Sequence, residues 1–430
     1  MAAANDLFVG GILWLYLSAW TVGIWITARR GASRRQAWFR AAAVTLSLVA
    51  GLVVLEAPAA YGALDYRRIA AALTPGSSPS LDFMEDPELS FRRPPRIHWT
   101  GQPETDMAEY LGLPLHADHP LRFTTDNRGF RNRTDRDRAD IALIGDSFVE
   151  ASAVSDDETS AVRLEQLTGS AVANLGISGY GTLQELIVLR KYALPLHPRV
   201  VAWFFFEGND LDDDELFENE MLPPDDEPAA KTVSKPTPPL AQRWREAVDR
   251  SLTYNAYHRL RTMTDWLVPN ATDSFGWFRD AGGVSHRYYF YDFYAARPLG
   301  DYERRRFETT KAAFRRGQDL AKRSGVRLIV FYIPIKFRVY RDFCTFPAGS
   351  RCLDWHPWDL EDHFAAFCHE AGIEYVSLTG PLRAAAGRGE MVYLPGDSHW
   401  SAAGQALAAT VVSTVTRDAE HSLTPNETRR

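Results

Sequence analysis

The sequence predicts an α/β domain in which a parallel sheet of about five strands carries helices on both faces, preceded by an N-terminal transmembrane helical hairpin. Three observations predict it. Short apolar runs of the kind buried on both faces of a sheet recur as "DIALIGDSF", "AVANLGISG", "RVVAWFFFEGND", "RLIVFYIPIK" and "EYVSLTG". Between them, "DDETSAVRLEQLTG", "TLQELIVLRKYAL", "ERRRFETTKAAFRRGQDLAKRSG" and "DLEDHFAAFCHEAG" place apolar residues at helical spacing. The first 64 residues contain two further apolar runs that are longer than any strand.

The first of those runs, Leu7 to Thr27, is uncharged and about as long as the ~20 residues a helix needs to cross a hydrocarbon core. "MAAAND" lacks the basic start and cleavage site of a signal peptide, so the run is expected to be retained. The second, Ala41 to Leu64, carries Glu56. Between them lie Arg29, Arg30, Arg34, Arg35 and Arg40, which mark a cytoplasmic loop and place the rest of the chain outside. A two-span anchor over 1–64 in a bacterial inner membrane, with a periplasmic domain, is the expectation. If the second run is instead a buried or interfacial helix, the large domain stays in the cytoplasm.

Residues 65–138 form a Pro- and Arg-rich lead-in without sustained periodicity, expected to pack on the domain surface. The domain proper runs over 139–416. It is interrupted by an insertion at 211–300, too long for an ordinary loop, with a helix expected from Leu240 to Val268. The aromatics there, including Trp277, Phe278, Tyr288, Tyr289 and Tyr291, either line a sugar-binding groove or form a small core. Tyr288 and Tyr289 are the candidates for substrate binding. Residues 417–430 read as a disordered tail.

Composition excludes some functions. The formal charge is −7, and between Glu207 and Glu227 there are eleven acidic side chains and no basic one, so no nucleic-acid partner is expected. No Cys/His spacing resembles a zinc site, and neither a metal nor another cofactor is expected. Cys344 and Cys352 bracket a short loop that suits one bridge in an oxidising compartment; the alternative is that these two and Cys368 are free core thiols.

The tripeptide GDS occurs twice, at Gly145–Ser147 and Gly396–Ser398. The first directly follows a predicted strand and precedes a helix, where a serine hydroxyl projects at the strand's carboxyl end, so Ser147 is the candidate nucleophile. The second sets Asp397 two residues before His399, the pair a nucleophilic serine requires as orienter and base, with Ser398 a spacer. Gly179, in "NLGISGYG", offers a backbone N–H and Asn209, in "FEGND", a side-chain amide to an oxyanion. Ser178 is a rival nucleophile but fails the GxSxG elbow, because Tyr180 stands at the last glycine.

These four pieces resemble the blocks of the SGNH, or GDSL, hydrolase superfamily, in family order, at Ser147, Gly179, Asn209 and His399. The resemblance implies a three-layer α/β/α fold and serine acyl-ester chemistry. Most members write the last block DxxH, whereas here Gly396 stands at the usual acid position and Asp397 gives DxH followed by Trp400. That variant, and the Pro-x-Lys segment in "YIPIKFRVY", are similar to bacterial alginate-type O-acetylation proteins, whose blocks are permuted relative to this chain. The resemblance implies an O-acetyltransferase of a cell-envelope or exopolysaccharide, with an acyl-ester donor, a glycan acceptor and a membrane-bound O-acyltransferase as partners. A carbohydrate or lipid acyl esterase is the alternative, and a non-catalytic scaffold of a glycan-assembly complex the reading from another class.

Overall fold

The computed structural model describes residues 33–64, 66, 83–101, 120–221, 247–248, 250–254, 274–291 and 299–422. These fall into two compact units, one around residues 33–66 and 247–254, the other comprising the rest.

The first unit is built on the helix Arg34–Ala60, started by a capping box in which Ser33 Oγ accepts from Gln36 N and Gln36 Oε1 accepts from Ser33 N. Its residues Ala42–Ala60 are long and apolar enough to cross a membrane. Because the cap lies at Ser33, Arg34, Arg35 and Arg40 belong to the helix and not to a loop between two spans, and the apolar stretch ends at Ala60 rather than Leu64. Glu56 accepts from the backbone N–H groups of Leu252 and Thr253 at 3.0 and 2.6 Å, so the one carboxylate of the stretch is satisfied. The other half of the expected hairpin, Leu7 to Thr27, lies outside the described residues.

The second unit opens with two antiparallel strand pairs where the sequence shows no periodicity: β1 (Met84–Asp86) with β2 (Ser90–Arg92), and β3 (His98–Gly101) with β4 (Leu121–Thr124). There follow β5 (Ile141–Ile144), β6 (Val172–Asn174) and β7 (Val200–Phe206). The insertion contributes β8 (Phe275–Arg279) and β9 (Ser285–Tyr289). Beyond it come β10 (Arg327–Ile333), β11 (Cys344–Thr345) and β12 (Glu374–Ser377). The central sheet has the order β12-β10-β7-β5-β6, all parallel, as the apolar runs predict.

Side-chain alternation along these strands makes two cores. Ile141, Leu143, Phe204, Phe206, Ile329 and Phe331 point to one face, covered by helices Ser160–Thr168, Thr379–Gly387 and Ala402–Ser422. Ala142, Ile144, Trp203, Phe205, Val330 and Tyr332 point to the other, covered by Thr182–Val188, Asp301–Arg323 and Leu360–Ala371. The helix Asp301–Arg323 shows why: Phe307, Thr310, Ala313, Phe314, Gly317 and Ala321 recur every three or four residues and are all buried. Asp301 and Glu303 sit at its positive end and Lys322 and Arg323 at its negative end.

The insertion begins as the helix Asp210–Met221 and ends as the β8–β9 hairpin, which pairs with β11 in the order β11-β8-β9. Most of the helix expected over 240–268 lies outside the described residues. The expected tail begins inside the helix Ala402–Ser422, in which Val412 and Thr416 are still buried against the domain; 423–430 lie outside the described residues. Cys344, Cys352 and Cys368 are free thiols. Cys344 is held by strand pairing to Phe278 and Cys352 by a 3-10 turn capped by Ser350, so the expected bridge is absent.

At Gly317 the helix Asp301–Arg323 lies close on the sheet, since a Cβ there would stand 2.3 Å from Trp203 Cζ3. Gly317→Ala is expected to cost about 1–3 kcal/mol through overpacking, read in a thermal melt as a Tm several degrees lower; an unchanged Tm would show that the Trp203 ring can move aside.

Candidate active site

β5 ends at Ile144, and Asp146 caps the following short helix Ser147–Glu150 by accepting from Phe148 N at 2.9 Å. Ser147 thereby occupies the first helical position, where a backbone N–H has no intrahelical partner. Its hydroxyl is mostly sheltered, at 9% exposure for the residue, and lies 2.7 Å from His399 Nε2. His399 Nδ1 lies 2.7 Å from Asp397 Oδ1, which also accepts from His399 N at 2.7 Å. With a proton on Nδ1 held by Asp397, Nε2 is left as the acceptor for the Ser147 hydroxyl. The structure thus joins Ser147, His399 and Asp397, up to 252 residues apart, in one hydrogen-bonded chain.

Asp397 is 1% exposed. Burial by itself raises its carboxyl, but the His399 charge, the two His399 hydrogen bonds and Lys336 outweigh burial and hold it below the usual carboxylate range. The loop bearing it closes through a bridge between Tyr393 and Trp400 and a bond from Leu394 N to His399 O at 3.1 Å. Trp400 and His399 both pack on Phe148, with ring centroids 5.0 and 5.1 Å apart, so the helix that carries the serine also seats the imidazole.

Gly179 follows β6 and Asn209 follows β7, the two strands flanking β5, so both stand at neighbouring carboxyl ends of the sheet. Gly179 has φ +81°, a left-handed backbone that suits glycine, and its N–H donates to no acceptor among the described residues. Asn209 Nδ2 donates to Asp213 Oδ2 at 2.7 Å, in the first turn of the helix Asp210–Met221, and its buried Oδ1 has no partner among the described residues. One amide hydrogen is therefore held by the helix that follows Asn209, which leaves the second N–H of the NH2 group.

Around it lies a set of buried carboxyls. Burial, reinforced by Asp146, Asp214 and Asp212, pushes Asp213 up to about 8. Burial likewise pushes Asp214 up to about 7 and Asp146 to about 6, and raises Glu185 and Asp210 well above the ordinary range. Asp210 accepts from Phe206 N at 2.8 Å, a structural contact, as the sequence suggests.

The sequence gives no sign of the ion pair behind the glycine loop. Glu150, fully buried, accepts from Arg93 Nε and Nη2 at 2.8 and 3.0 Å, and from the N–H and hydroxyl of Ser178. Ser178 is thereby engaged by a carboxylate. Arg131, also buried, donates to the carbonyls of Glu150, Ala151 and Val154, so part of the lead-in lies beneath the surface it was expected to coat.

Tyr288 is a correction. It is 0% exposed, packed on Tyr340 and Phe278 at 4.7 and 5.0 Å, with its hydroxyl donating to Tyr393 O at 3.1 Å. No ring face is left to stack on a sugar. Tyr289 is half-buried beneath Arg287, and its N–H donates to Pro395 O at 3.0 Å. The hairpin therefore braces the loop that carries Asp397 and His399. Among the described residues no group of His, Cys, Asp and Glu is arranged to hold a metal ion.

Residues 290–429 match a family model described as SGNH hydrolase-like domain, acetyltransferase AlgX. The match contains Asp397 and His399 but not Ser147. Similar solved structures include a lipolytic protein of the G-D-S-L family from Desulfitobacterium hafniense, 12% identical, covering 64% of this chain and 98% of that one with a TM-score of 0.33. Another is a GDSL-like lipase from Bacteroides thetaiotaomicron, 11% identical, covering 65% and 88% with a TM-score of 0.31. No curated protein matches the sequence.

Asp213 gives a pH test. The native state keeps its proton up to about pH 8, whereas an unfolded chain releases it from about pH 4. Stability from this group is therefore greatest at low pH and falls as pH rises between those values. Asp213→Asn removes that slope: its Tm should match wild type near pH 4 and exceed it at pH 8, and parallel curves would contradict the protonated carboxyl.

Proposed function

We propose, from the premise that this chain is similar to SGNH/GDSL hydrolases of the AlgX type, that it is an O-acetyltransferase acting on a cell-envelope or exopolysaccharide. The coarser conclusion, an acyl esterase or acetyltransferase, rests on the family match. The observation that carries the mechanism is the unbroken chain Ser147 Oγ, His399 Nε2, His399 Nδ1, Asp397 Oδ1, at 2.7 Å per link.

In this reading Ser147 Oγ attacks the ester carbonyl carbon while its proton passes to His399 Nε2. Asp397 stabilises the imidazolium. The N–H groups of Ser147 and Gly179 hold the oxyanion, joined by the second N–H of the Asn209 amide, whose first is held by Asp213. The tetrahedral adduct collapses, the alcohol leaves with the proton from His399, and acyl-Ser147 remains. A sugar hydroxyl then attacks the acyl carbon, loses its proton to His399, and Ser147 Oγ departs and regains it. A membrane-bound O-acyltransferase is the proposed acetyl source, and the span Ala42–Ala60 supports working at a membrane. The burial of Phe278 and Tyr288 takes two rings out of the expected sugar wall and favours a second reading, in which water is the acceptor and the enzyme is an esterase.

A fluorophosphonate probe should label Ser147; Ser147→Ala should abolish labelling and Ser398→Ala should retain it. Incubating the full chain with an activated acetyl ester, with and without oligosaccharides, separates the acceptors: acetylated sugar supports transfer, acetate alone the esterase. Labelling of Ser147→Ala at the wild-type rate would remove the basis of both.

The membrane arrangement is tested separately. A reporter active only outside the cytoplasm, fused after Arg430, should be on, and deletion of residues 41–64 should switch it off; a silent full-length fusion would place the domain in the cytoplasm.

A further inference from the structure

Lys336 is a buried cation outside the Ser147–His399–Asp397 chain. It opens the short helix Lys336–Tyr340 just after β10 and is 4% exposed. Its Nζ donates to the carbonyl oxygens of Leu394, Pro395 and Asp397 at 2.6, 2.7 and 3.1 Å. It also lies over the ring of Tyr288, 4.7 Å from the centroid. An ammonium carries three donors and no acceptor, and here three carbonyls of one turn meet them. A buried charge persists only where it is paired and hydrogen-bonded, so the turn is a built receptor for this side chain.

The turn holding Lys336 is itself anchored. Glu207, buried beside Gly208 and Asn209, accepts from Ile335 N at 2.7 Å, from Arg338 Nε and Nη2 at 2.8 and 2.6 Å, and from the Tyr332 hydroxyl at 2.6 Å. One short segment is thus tied to the end of β7 on one side and to the acid–base loop on the other. Sliding the Leu394–Asp397 turn would carry Asp397 with it, strain its bonds to His399 and pull the imidazole off Ser147. The ammonium also adds to the charges that keep Asp397 ionised.

We propose that Lys336 is the positioning residue of the acid–base loop, fixing the Leu394–Asp397 turn so that Asp397 meets His399 Nδ1 while His399 Nε2 faces Ser147. Its consequence for rate rests on the acyl-transfer reading; its consequence for geometry does not. The test uses the full chain in detergent micelles and compares wild type with Lys336→Met, similar in length but without donors. Two quantities are read: the low-field proton resonance of the His399 Nδ1–H bound to Asp397, assigned by its loss in His399→Gln, and the rate of fluorophosphonate labelling at Ser147. Lys336→Met is expected to lose the resonance and to label about 100-fold more slowly, the scale of a misplacement near 1 Å. Val330→Ala, in the middle of the sheet, should lower the Tm yet keep both readouts, which separates positioning from general loosening. Retention of the resonance and labelling within about twofold of wild type would overturn the proposal. Should Lys336→Met not fold, Lys336→Gln is held to the same two outcomes. If wild type shows the resonance but does not label, the acyl-transfer reading fails and the resonance comparison alone still decides the role of Lys336.

Discussion

A carboxylate removed from water must find its compensation in the protein, and Asp397 is such a group. Much of the surrounding architecture answers that requirement. His399 supplies two donors, Lys336 fixes the backbone of the same turn from below, and the β8–β9 hairpin adds the Tyr288 hydroxyl and the Tyr289 N–H. The loop has little regular structure of its own, so its shape comes from these outside contacts. In the proposed mechanism rigid placement matters, because a proton relay through 2.7 Å links tolerates little drift.

The strand ends that carry Gly179 and Asn209, the proposed oxyanion donors, pose the opposite electrostatic problem. Glu150 is made harmless as a buried anion by the forked Arg93, and in turn fixes Ser178 next to Gly179. Among the described residues no cation stands against Asp210 or Asp213, and burial turns them toward their neutral forms. Negative charge close to a developing oxyanion opposes it, so neutral carboxyls at that strand end are compatible with acyl chemistry where ionised ones are not.

Parts of this were legible in the sequence for a physical reason. Strands buried on both faces leave continuous apolar runs, and β5, β7 and β10 stand where "IALI", "VVAWFFF" and "RLIVFYI" lie. Ser147 and the Asp397–His399 pair could be singled out because each stands at a marked place, one after a strand and the other at a two-residue spacing. The orientation of the Asn209 amide was not legible, since a helical turn offers Asp213 as readily as empty space. Tyr288 misled because an aromatic in a polar stretch reads the same whether it faces solvent or a neighbouring Tyr340. Arg93 and Glu150, 57 residues apart, carry no local pattern that couples them.

The pairing of β7 with β10, seven residues in register from Val200 with Arg327 to Phe206 with Ile333, is the seam between two halves of the site. Ser147, Gly179 and Asn209 precede β10 in the chain; Lys336, Asp397 and His399 follow it. Neither half holds a complete set, so the domain is a pair of complementary fragments whose alignment is set by one parallel ladder. A slip of one residue there would shift the second half by about 3.3 Å and turn every side chain of β10 to the opposite core. That displacement exceeds the length of any link in the Ser147–His399–Asp397 chain. The sheet's centre therefore acts as a vernier for the chemistry at its rim, and Glu207, at the end of that ladder, is its stop.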